Sequence, residues 1–256
     1  MLVLKNSALE IPIIFNCNLN CNYCAHMSPF MGNVPPVSVE LIEQQCRDWS
    51  PRLAPAEVRI LGGEPLLHPD IEQIIEILVR YWGEGRDIYL TTNGLLLESM
   101  KPSFLDLLQK HRIRLKVSIH HPSFHERIVR VLSQISCETE VFHHTLFHKG
   151  YQIENGMPKL FHSDNLAAYN LCFVKRKCME LMDNQLYHCS CLAYYRKAYE
   201  ARIINDPRVI EYSPATPDMS NEQLTQWLDS DFSTICSVCY EKVEKVPAYH
   251  EISNPA

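Results

Sequence analysis

Three cysteines lie within eight residues near the N-terminus, in the order Cys17-Asn-Leu-Asn-Cys21-Asn-Tyr-Cys24. Three thiolates can hold three corners of an iron–sulfur cluster, because soft sulfur ligands suit such clusters. The next cysteine along the chain is Cys46, so the loop offers no fourth thiol. A cluster with three protein ligands keeps one iron open, and an open metal position can bind a reactant. We therefore expect a 4Fe–4S site with one open iron; a zinc site with His26 as its fourth ligand is the alternative.

The segments around this loop alternate between strand and helix patterns, which is typical of a parallel sheet with crossover helices. Polar residues follow the end of each predicted strand, where βα barrels place their active sites. The sequence therefore predicts an α/β fold, an open or partial (β/α) barrel. The predicted strands cover residues 9–15, 57–61, 87–91, 113–119 and 139–145, and the predicted helices begin at Val39, Asp70, Pro102 and Phe124.

Two local signals refine this prediction. Pro12 lies inside the first predicted strand, and a proline there indicates an edge strand or a bulge. Ser38 precedes the first predicted helix and is a suitable N-cap.

The alternation stops near residue 150, so we divide the chain into a barrel at 1–150 and a small C-terminal domain at 151–256. Cys46 and Cys137 stand alone and are expected to be core thiols. Without an export signal, clustered thiols indicate metal ligands rather than disulfides. The C-terminal domain contains six of the eleven cysteines, at positions 172, 178, 189, 191, 236 and 239.

The cysteine spacing, with Gly62-Gly63-Glu64-Pro65 directly after the second predicted strand, resembles the radical SAM superfamily over about residues 9–145. The resemblance implies that the open iron binds S-adenosylmethionine (SAM). It also implies that the reduced cluster cleaves SAM to a 5′-deoxyadenosyl radical, which abstracts a hydrogen atom from a substrate. The residues that the resemblance assigns to SAM binding are Tyr23, Gly62, Gly63, Glu64, Pro65, Thr91, Thr92, Asn93 and Ser118.

The C-terminal cysteines resemble the twitch or SPASM extension of that superfamily, which implies a second, auxiliary 4Fe–4S cluster. Its implied ligands are Cys172, Cys189, Cys236 and Cys239, with Cys178 and Cys191 as alternates. The family usually has glycine where this chain has Asn184, but asparagine also tolerates the left-handed conformation. A structural zinc site is the alternative, since four thiolates suit either metal.

Histidines follow the fourth and fifth predicted strands. Imidazoles at a barrel mouth can bind or deprotonate a substrate, and we take His120 and His143 as candidate catalytic residues. The alternative for each is an ordinary solvated or core histidine.

The resemblance implies an enzyme, and its compact form favours a small polar substrate such as a sugar or cyclitol. The expected reaction is oxidation or epimerisation, with the auxiliary cluster as electron relay. A peptide-modifying maturase is the second choice. Whichever the substrate, we expect the barrel mouth to set specificity, through Met27, Phe30, Met31, His120 and the 145–170 loop. A non-catalytic iron–sulfur protein or a zinc adaptor represents the other functional classes.

Composition restricts the partners. The formal net charge is −6, and the basic residues are scattered, which argues against a nucleic-acid surface. We see no apolar run of about 18 residues and no signal peptide, so we expect a cytoplasmic protein without a membrane partner. The resemblance adds reduced flavodoxin or ferredoxin as the electron donor.

Overall fold

The computed structural model describes residues 2–172, 178–231 and 233–248. The strands are β1 (Leu2–Ile14), β2 (Leu53–Gly62), β3 (Asp87–Thr92), β4 (Arg114–Ile119), β5 (Thr139–His143), β6 (Leu146–His148), β7 (Gln152–Glu154), β8 (Met157–Lys159), β9 (Cys178–Met182), β10 (Gln185–Tyr187) and β11 (Lys245–Pro247). The helices are α1 (Val39–Trp49), α2 (Ile71–Trp82), α3 (Pro102–Lys110), α4 (His125–Leu132), α5 (Asn165–Leu171), α6 (Ser190–Glu200), α7 (Arg208–Glu211) and α8 (Asn221–Asp229).

Seven strands form one mostly parallel sheet in the order β10-β9-β1-β2-β3-β4-β5. The pairs from β9 to β5 are all parallel, and only β10 runs antiparallel to its neighbour β9. Helices α1 to α4 follow β1 to β4 in turn, as crossover connections between parallel strands require. The predicted α/β fold, a partial (β/α) barrel, is confirmed.

Strand β1 is an interior strand, because it pairs with β2 on one side and β9 on the other. The edge position that Pro12 allowed is therefore wrong. The register between β1 and β2 shifts between Pro12 and Ile14, so the bulge is present. Proline cannot donate to a strand ladder, and this irregularity accommodates it within an interior strand.

The crossover helices follow their sequence signals. The Ser38 hydroxyl accepts a hydrogen bond from the Leu41 amide and caps α1, as predicted. In β4 the alternating residues Leu115, Val117 and Ile119 are fully buried, which is the pattern that a core-facing strand requires. None of the helices in the described part of the chain combines the length and apolar character that crossing a bilayer needs.

The region after residue 150 extends the main sheet and also contributes to two separate two-stranded sheets, β11-β6 and β7-β8. Its strands β9 and β10 lie beside β1, and the turn between them places Asn184 in the left-handed conformation (φ 60°), as expected. Strand β11 pairs with β6, and α5 contacts the short 3-10 helix Ser233–Val238. The division at residue 150 therefore remains a prediction, because the sheet continues across it.

Candidate functional site

The three cysteines of the loop after β1 lie close enough to influence one another, and we call them the N-terminal thiol group. Burial raises the pKa of Cys17 to about 12, and the charges of Glu64 and Cys24 contribute further. Burial also raises the pKa of Cys21, followed by the charges of Cys24 and Cys17. Thiolates placed this way repel one another, and a bound cationic centre would favour the deprotonated forms.

Backbone N–H groups donate to two of these sulfurs, those of Cys17 and Cys24. The Leu19 amide donates to Cys17 Sγ over 3.4 Å. Burial raises the pKa of Cys24, while hydrogen bonds from the backbone amides of residues 26–28 act in the opposite direction. Hydrogen bonds to the sulfurs are one of the ways in which proteins stabilise and tune iron–sulfur clusters. The three thiols and their donors therefore fit such a cluster.

The imidazole of His26 already contacts other groups of the protein, unlike that of a histidine left free to bind a metal. Its Nδ1 lies 2.6 Å from the Gly62 carbonyl oxygen, and its ring stacks on Tyr194 with 4.5 Å between the centroids. Burial lowers the pKa of His26, so the imidazole is neutral at pH 7. The histidine connects the cysteine loop to the end of β2.

Two glycines let the end of β2 approach the cysteine loop closely. A Cβ atom on Gly62 would lie 2.1 Å from the carbonyl oxygen of Ile14, and one on Gly63 would lie 1.9 Å from that of Asn16. The Gly63 amide donates to the Ile14 carbonyl over 2.8 Å. Only glycine permits this contact, so the Gly-Gly pair is required by the backbone itself.

Glu64 is fully buried and joins this turn to the end of β3. Its carboxylate accepts hydrogen bonds from the Thr92 hydroxyl (2.7 Å), the Asn93 amide (2.8 Å) and the Leu66 amide (3.1 Å). Burial raises the pKa of Glu64 to about 7, although the three hydrogen bonds oppose the rise. A carboxylate can accept about four hydrogen bonds, so one acceptor position is left for a ligand.

Asn93 connects the end of β3 to the cysteine loop. Its Nδ2 donates to Asn18 Oδ1 over 2.6 Å and lies 3.8 Å from Cys17 Sγ. The motif reading missed Asn18, although its position next to Cys17 was the available signal. The ends of β1, β2 and β3 are thus held together around one sulfur, whereas Ser118 lies further along the sheet, half-buried near the end of β4.

Tyr23 has a left-handed backbone (φ 53°) and turns the loop between two of its cysteines. Its ring centroid lies 5.5 Å from that of Tyr151, and Lys149 Nζ lies 5.4 Å from the Tyr23 ring. A cavity of about 390 Å³ opens beside it, and other lining residues include Gln152, Lys159, Phe161 and Glu244. The expected 145–170 loop therefore lines a cavity next to the cysteine loop. Met27 and Met31, which we expected at the barrel mouth, are instead fully buried.

The two candidate catalytic histidines lie in separate ring pairs. His120 is half-buried, with its ring 6.2 Å from His144 and 5.3 Å from Phe147. His143 is exposed, and its ring lies 5.1 Å from that of His125. The structure therefore does not bring His120 and His143 together as a pair.

Five thiols converge in the C-terminal region, and we call them the C-terminal thiol group: Cys172, Cys189, Cys191, Cys236 and Cys239. Burial raises the pKa of Cys239, and the charges of Cys189, Cys236 and Cys172 add to it. The thiol of Cys191 donates to Cys189, which lowers the pKa of Cys189. All four first-choice ligands lie in this group, together with the alternate Cys191 at the start of α6.

Cys178, the other alternate, lies in β9 with its sulfur 4.0 Å from the Ser190 hydroxyl. Burial raises its pKa, followed by the charges of Glu10 and Glu180. These two buried carboxyls are direct neighbours in register on β1 and β9. The sequence reading missed them, and charged residues inside strands of otherwise apolar residues were the available signal. Arg59 pairs with Glu10 over 2.9 Å. Burial raises the pKa of Glu180 well above its usual value, followed by the charge of Glu10, so Glu180 retains its proton.

Within the ranges that the structure describes, no three His, Cys, Asp or Glu side chains are spaced to hold a single metal ion. A zinc ion needs four ligands drawn tightly around one centre, whereas a cluster of four irons spreads its thiolates around a larger body.

Comparisons with known proteins agree with this geometry. Residues 11–136 match the model of the Radical SAM superfamily. The chain is 34% identical over 128 residues to GTP 3′,8-cyclase of Aquifex aeolicus, covering 47% of this chain and 38% of that protein. It is 41% identical over 92 residues to the probable GTP 3′,8-cyclase of Methanothermobacter thermautotrophicus, covering 36% of this chain and 28% of that protein. The matches thus span less than half the length of these curated relatives.

A solved structure extends the likeness of fold to nearly the whole chain. The crystal structure of BtrN in complex with AdoMet and 2-DOIA superposes with a TM-score of 0.50 at 13% identity, covering 93% of this chain and 98% of that one. The cysteine loop, the glycine turn at the end of β2 and the family match over residues 11–136 concern the same part of the sheet. Residues 11–136 of the chain therefore belong to the Radical SAM superfamily.

Proposed function

We propose that this radical SAM enzyme abstracts a hydrogen atom from a small polar substrate, such as a sugar or cyclitol, and oxidises or epimerises it. The N-terminal thiol group holds the 4Fe–4S cluster that carries SAM, and the C-terminal thiol group holds a second 4Fe–4S cluster. When bound, the first cluster and SAM supply the 5′-deoxyadenosyl radical, and the second cluster relays an electron. The observation that carries the proposal is the pair of separate thiol groups in one chain with a radical SAM domain.

The residues of the strand ends hold SAM in this proposal. Gly62 and Gly63 bring the backbone of β2 against the cysteine loop, and Glu64 offers its remaining acceptor position to the ammonium group of SAM. Thr91, Thr92 and Asn93 border the same site from the end of β3. Tyr23, Pro65 and Ser118 complete the proposed SAM contacts.

The cavity beside Tyr23 supports a small polar substrate. Its volume of about 390 Å³ lies in the range typical of small-molecule sites. Its lining includes two lysines and two glutamates, which pair as Lys149–Glu244 and Lys159–Glu154. Such walls offer donors and acceptors to hydroxyl or amino groups rather than an apolar surface.

In the proposed oxidation, an alcohol substrate loses a hydrogen atom, a proton and an electron to three different acceptors. The substrate carbon gives its hydrogen atom to the 5′-deoxyadenosyl radical, the hydroxyl gives its proton to a protein base, and one electron passes to the second cluster. His120 is the preferred base because it is half-buried, and the exposed His143 is the second choice. In epimerisation the substrate hydroxyl would keep its proton, and the carbon radical would gain one electron from the second cluster and one proton on its opposite face, which restores the C–H bond.

A nucleotide substrate is the second candidate, because the curated relatives that match part of this chain are named GTP 3′,8-cyclases. The matched region carries SAM chemistry in the proposal, whereas the substrate cavity is lined mostly by residues after position 148. For that reason the small sugar or cyclitol remains the first choice.

The test is anaerobic incubation of the purified chain with SAM, dithionite and deuterated candidate substrates. We expect about eight irons per chain from two clusters, formation of 5′-deoxyadenosine, and deuterium transfer from a sugar or cyclitol into it. Parallel reactions with GTP and with a peptide mixture distinguish the other substrate classes. Two zinc ions and no iron, or no 5′-deoxyadenosine, would overturn the proposal.

A further inference from the structure

Tyr151 is a buried tyrosine that packs against the N-terminal thiol group. It is only 1% exposed. Its ring centroid lies 5.5 Å from that of Tyr23, which stands between Cys21 and Cys24, and 6.0 Å from that of Phe30. The side chain thus closes the cysteine loop from the side of the 145–170 segment.

The hydroxyl of Tyr151 has no hydrogen-bond partner among the residues that the structure describes. Leaving a buried hydroxyl unpaired costs free energy, and phenylalanine would fill the same space without that cost. The hydroxyl also lies near the sulfurs, since the charges of Cys24 and Cys21 add to the effect of burial in raising its pKa. A buried donor without a partner, near the thiols of Cys21 and Cys24, is accounted for when an acceptor lies between the donor and these thiols.

A second tyrosine holds this position rigidly. Tyr195, in α6, is also 1% exposed, and its hydroxyl donates to the carbonyl of Gly150 over 2.8 Å. A Cβ atom on Gly150 would approach that hydroxyl oxygen to 3.0 Å. The backbone directly before Tyr151 is therefore attached to α6.

We propose that the Tyr151 hydroxyl donates a hydrogen bond to a sulfur atom of the cluster held by Cys17, Cys21 and Cys24, and thereby sets its reduction potential. A donor near the sulfurs stabilises the reduced, more negative cluster, because hydrogen bonds to charged acceptors are stronger than those to neutral ones. Tyr151 is a positioning residue in this role and touches no substrate. The inference rests on the proposed cluster at the N-terminal thiol group.

The test is Tyr151→Phe, which removes the hydroxyl and keeps the ring. The anaerobically loaded protein is titrated with dithionite and redox mediators, and the reduced N-terminal cluster is followed by electron paramagnetic resonance. We expect full iron content and a more negative midpoint potential. At a fixed solution potential the ratio of reduced to oxidised cluster should fall about tenfold, which is 59 mV for a one-electron couple.

Tyr187→Phe is the matched control. Tyr187 is also buried, but its hydroxyl donates to Gln185, and the causes of its raised pKa include no cysteine. We expect its midpoint potential to equal that of the wild type. The metal-free Tyr151→Phe chain should also be at least as stable as the wild type, which a purely structural hydroxyl would not allow.

Three outcomes separate this inference from the proposed function. A full iron content with an unchanged or higher potential in Tyr151→Phe overturns the inference and leaves the proposed function intact. Loss of iron in that variant also overturns it, because Tyr151 would then be needed for loading rather than tuning. Absence of iron in the wild-type protein overturns the proposed function itself.

Discussion

Glu64 joins the ends of two neighbouring strands through one buried carboxylate. It follows β2, and two of its three hydrogen bonds come from Thr92 and Asn93 at the end of β3. Asn93 in turn binds Asn18 in the cysteine loop. A single residue therefore aligns the three strand ends that the proposed SAM site requires.

The raised pKa of Glu64 predicts a pH-dependent stability of the metal-free chain. The folded value is about 7 against a usual value of 4.5. Between these values the folded chain holds a proton that the unfolded chain has lost, so the free energy of unfolding falls as the pH rises from 4.5 to 7. Glu64→Gln removes this titration, and its stability relative to the wild type should rise by about 1 to 3 kcal/mol across that window.

Urea denaturation of both chains at pH 4.5 and pH 7.5 measures this difference. Glu72→Gln, an exposed change in α2, serves as the control and should follow the wild type at both pH values. If the free energy of unfolding depended equally on pH in the wild type and in Glu64→Gln, Glu64 would not be the source of this pH dependence.

Of the two glycines at the end of β2, Gly63 leaves the least room for a side chain against the cysteine loop. A methyl group there would overlap the Asn16 carbonyl oxygen at 1.9 Å, a backbone atom that cannot rotate away. Gly63→Ala should therefore destabilise the chain by about 3 kcal/mol or more and abolish iron binding at the N-terminal thiol group. Gly32→Ala is the matched control, because nothing lies within 4 Å of its added methyl. Thermal unfolding and iron analysis test both, and normal iron content in Gly63→Ala would be the contrary result.

At the scale of secondary-structure elements, side-chain hydrogen bonds connect the turn between β9 and β10 to α1. Asn184 adopts φ 60°, its Nδ2 donates to Asp48 (2.8 Å), and its Oδ1 accepts from Trp49 Nε1 (3.1 Å). The C-terminal strand pair is thus held against the helix that follows the cysteine loop. Glycine would suit the backbone but could not make these side-chain bonds.

Asn184→Gly should therefore destabilise the chain by about 1 to 2 kcal/mol, from the loss of two hydrogen bonds, although glycine favours the conformation. Asn155→Gly is the control: Asn155 is also left-handed (φ 51°) but lies in the exposed turn between β7 and β8. That change should alter the free energy of unfolding by less than about 0.5 kcal/mol. Equal values for the two variants in urea denaturation would show that only backbone conformation matters at Asn184.

At the scale of the whole molecule, one sheet carries two thiol groups. The N-terminal thiol group follows β1, and the C-terminal thiol group begins beside β9 and β10, which pair next to β1. Tyr194 lies between them, since the charges of both Cys24 and Cys191 raise its pKa after the larger effect of burial. Tyr194 is fully buried, so a buried aromatic side chain lies near both thiol groups.

Each of the two thiol groups should account for half of the bound iron. Cys21→Ser and Cys239→Ser should each lose about four of eight irons, because each removes a ligand from a different cluster. Cys178→Ser should keep full iron content, since Cys178 lies in β9 beside Ser190 and two carboxyls. Iron analysis after anaerobic purification tests all three, and iron loss in Cys178→Ser would restore that residue as a ligand.

Much of the fold followed from sequence because its signals are local. The alternation of β4, the Ser38 cap and the bulge at Pro12 depend on neighbours within a few residues. The pairing of β9 with β1 could not be predicted from the sequence, because these strands are about 170 residues apart. Neither segment contains a local signal that identifies the strand it pairs with. For the same reason the sequence could not exclude an edge position as the alternative to the bulge at Pro12.

The sequence alone determined the chemistry that the chain can support: three spaced thiols, a Gly-Gly-Glu-Pro turn and a second set of cysteines, because residue type and short spacing decide ligand chemistry. Only the tertiary structure decided which distant groups meet. It directed Glu64 to the end of β3. It placed Cys191 among Cys172, Cys189 and Cys239, and Cys178 beside Cys189, Glu10 and Glu180. It also placed the unpaired Tyr151 hydroxyl near Cys21 and Cys24. Such contacts arise from the packing of strands and helices far apart in the chain, and this packing has no counterpart in local sequence.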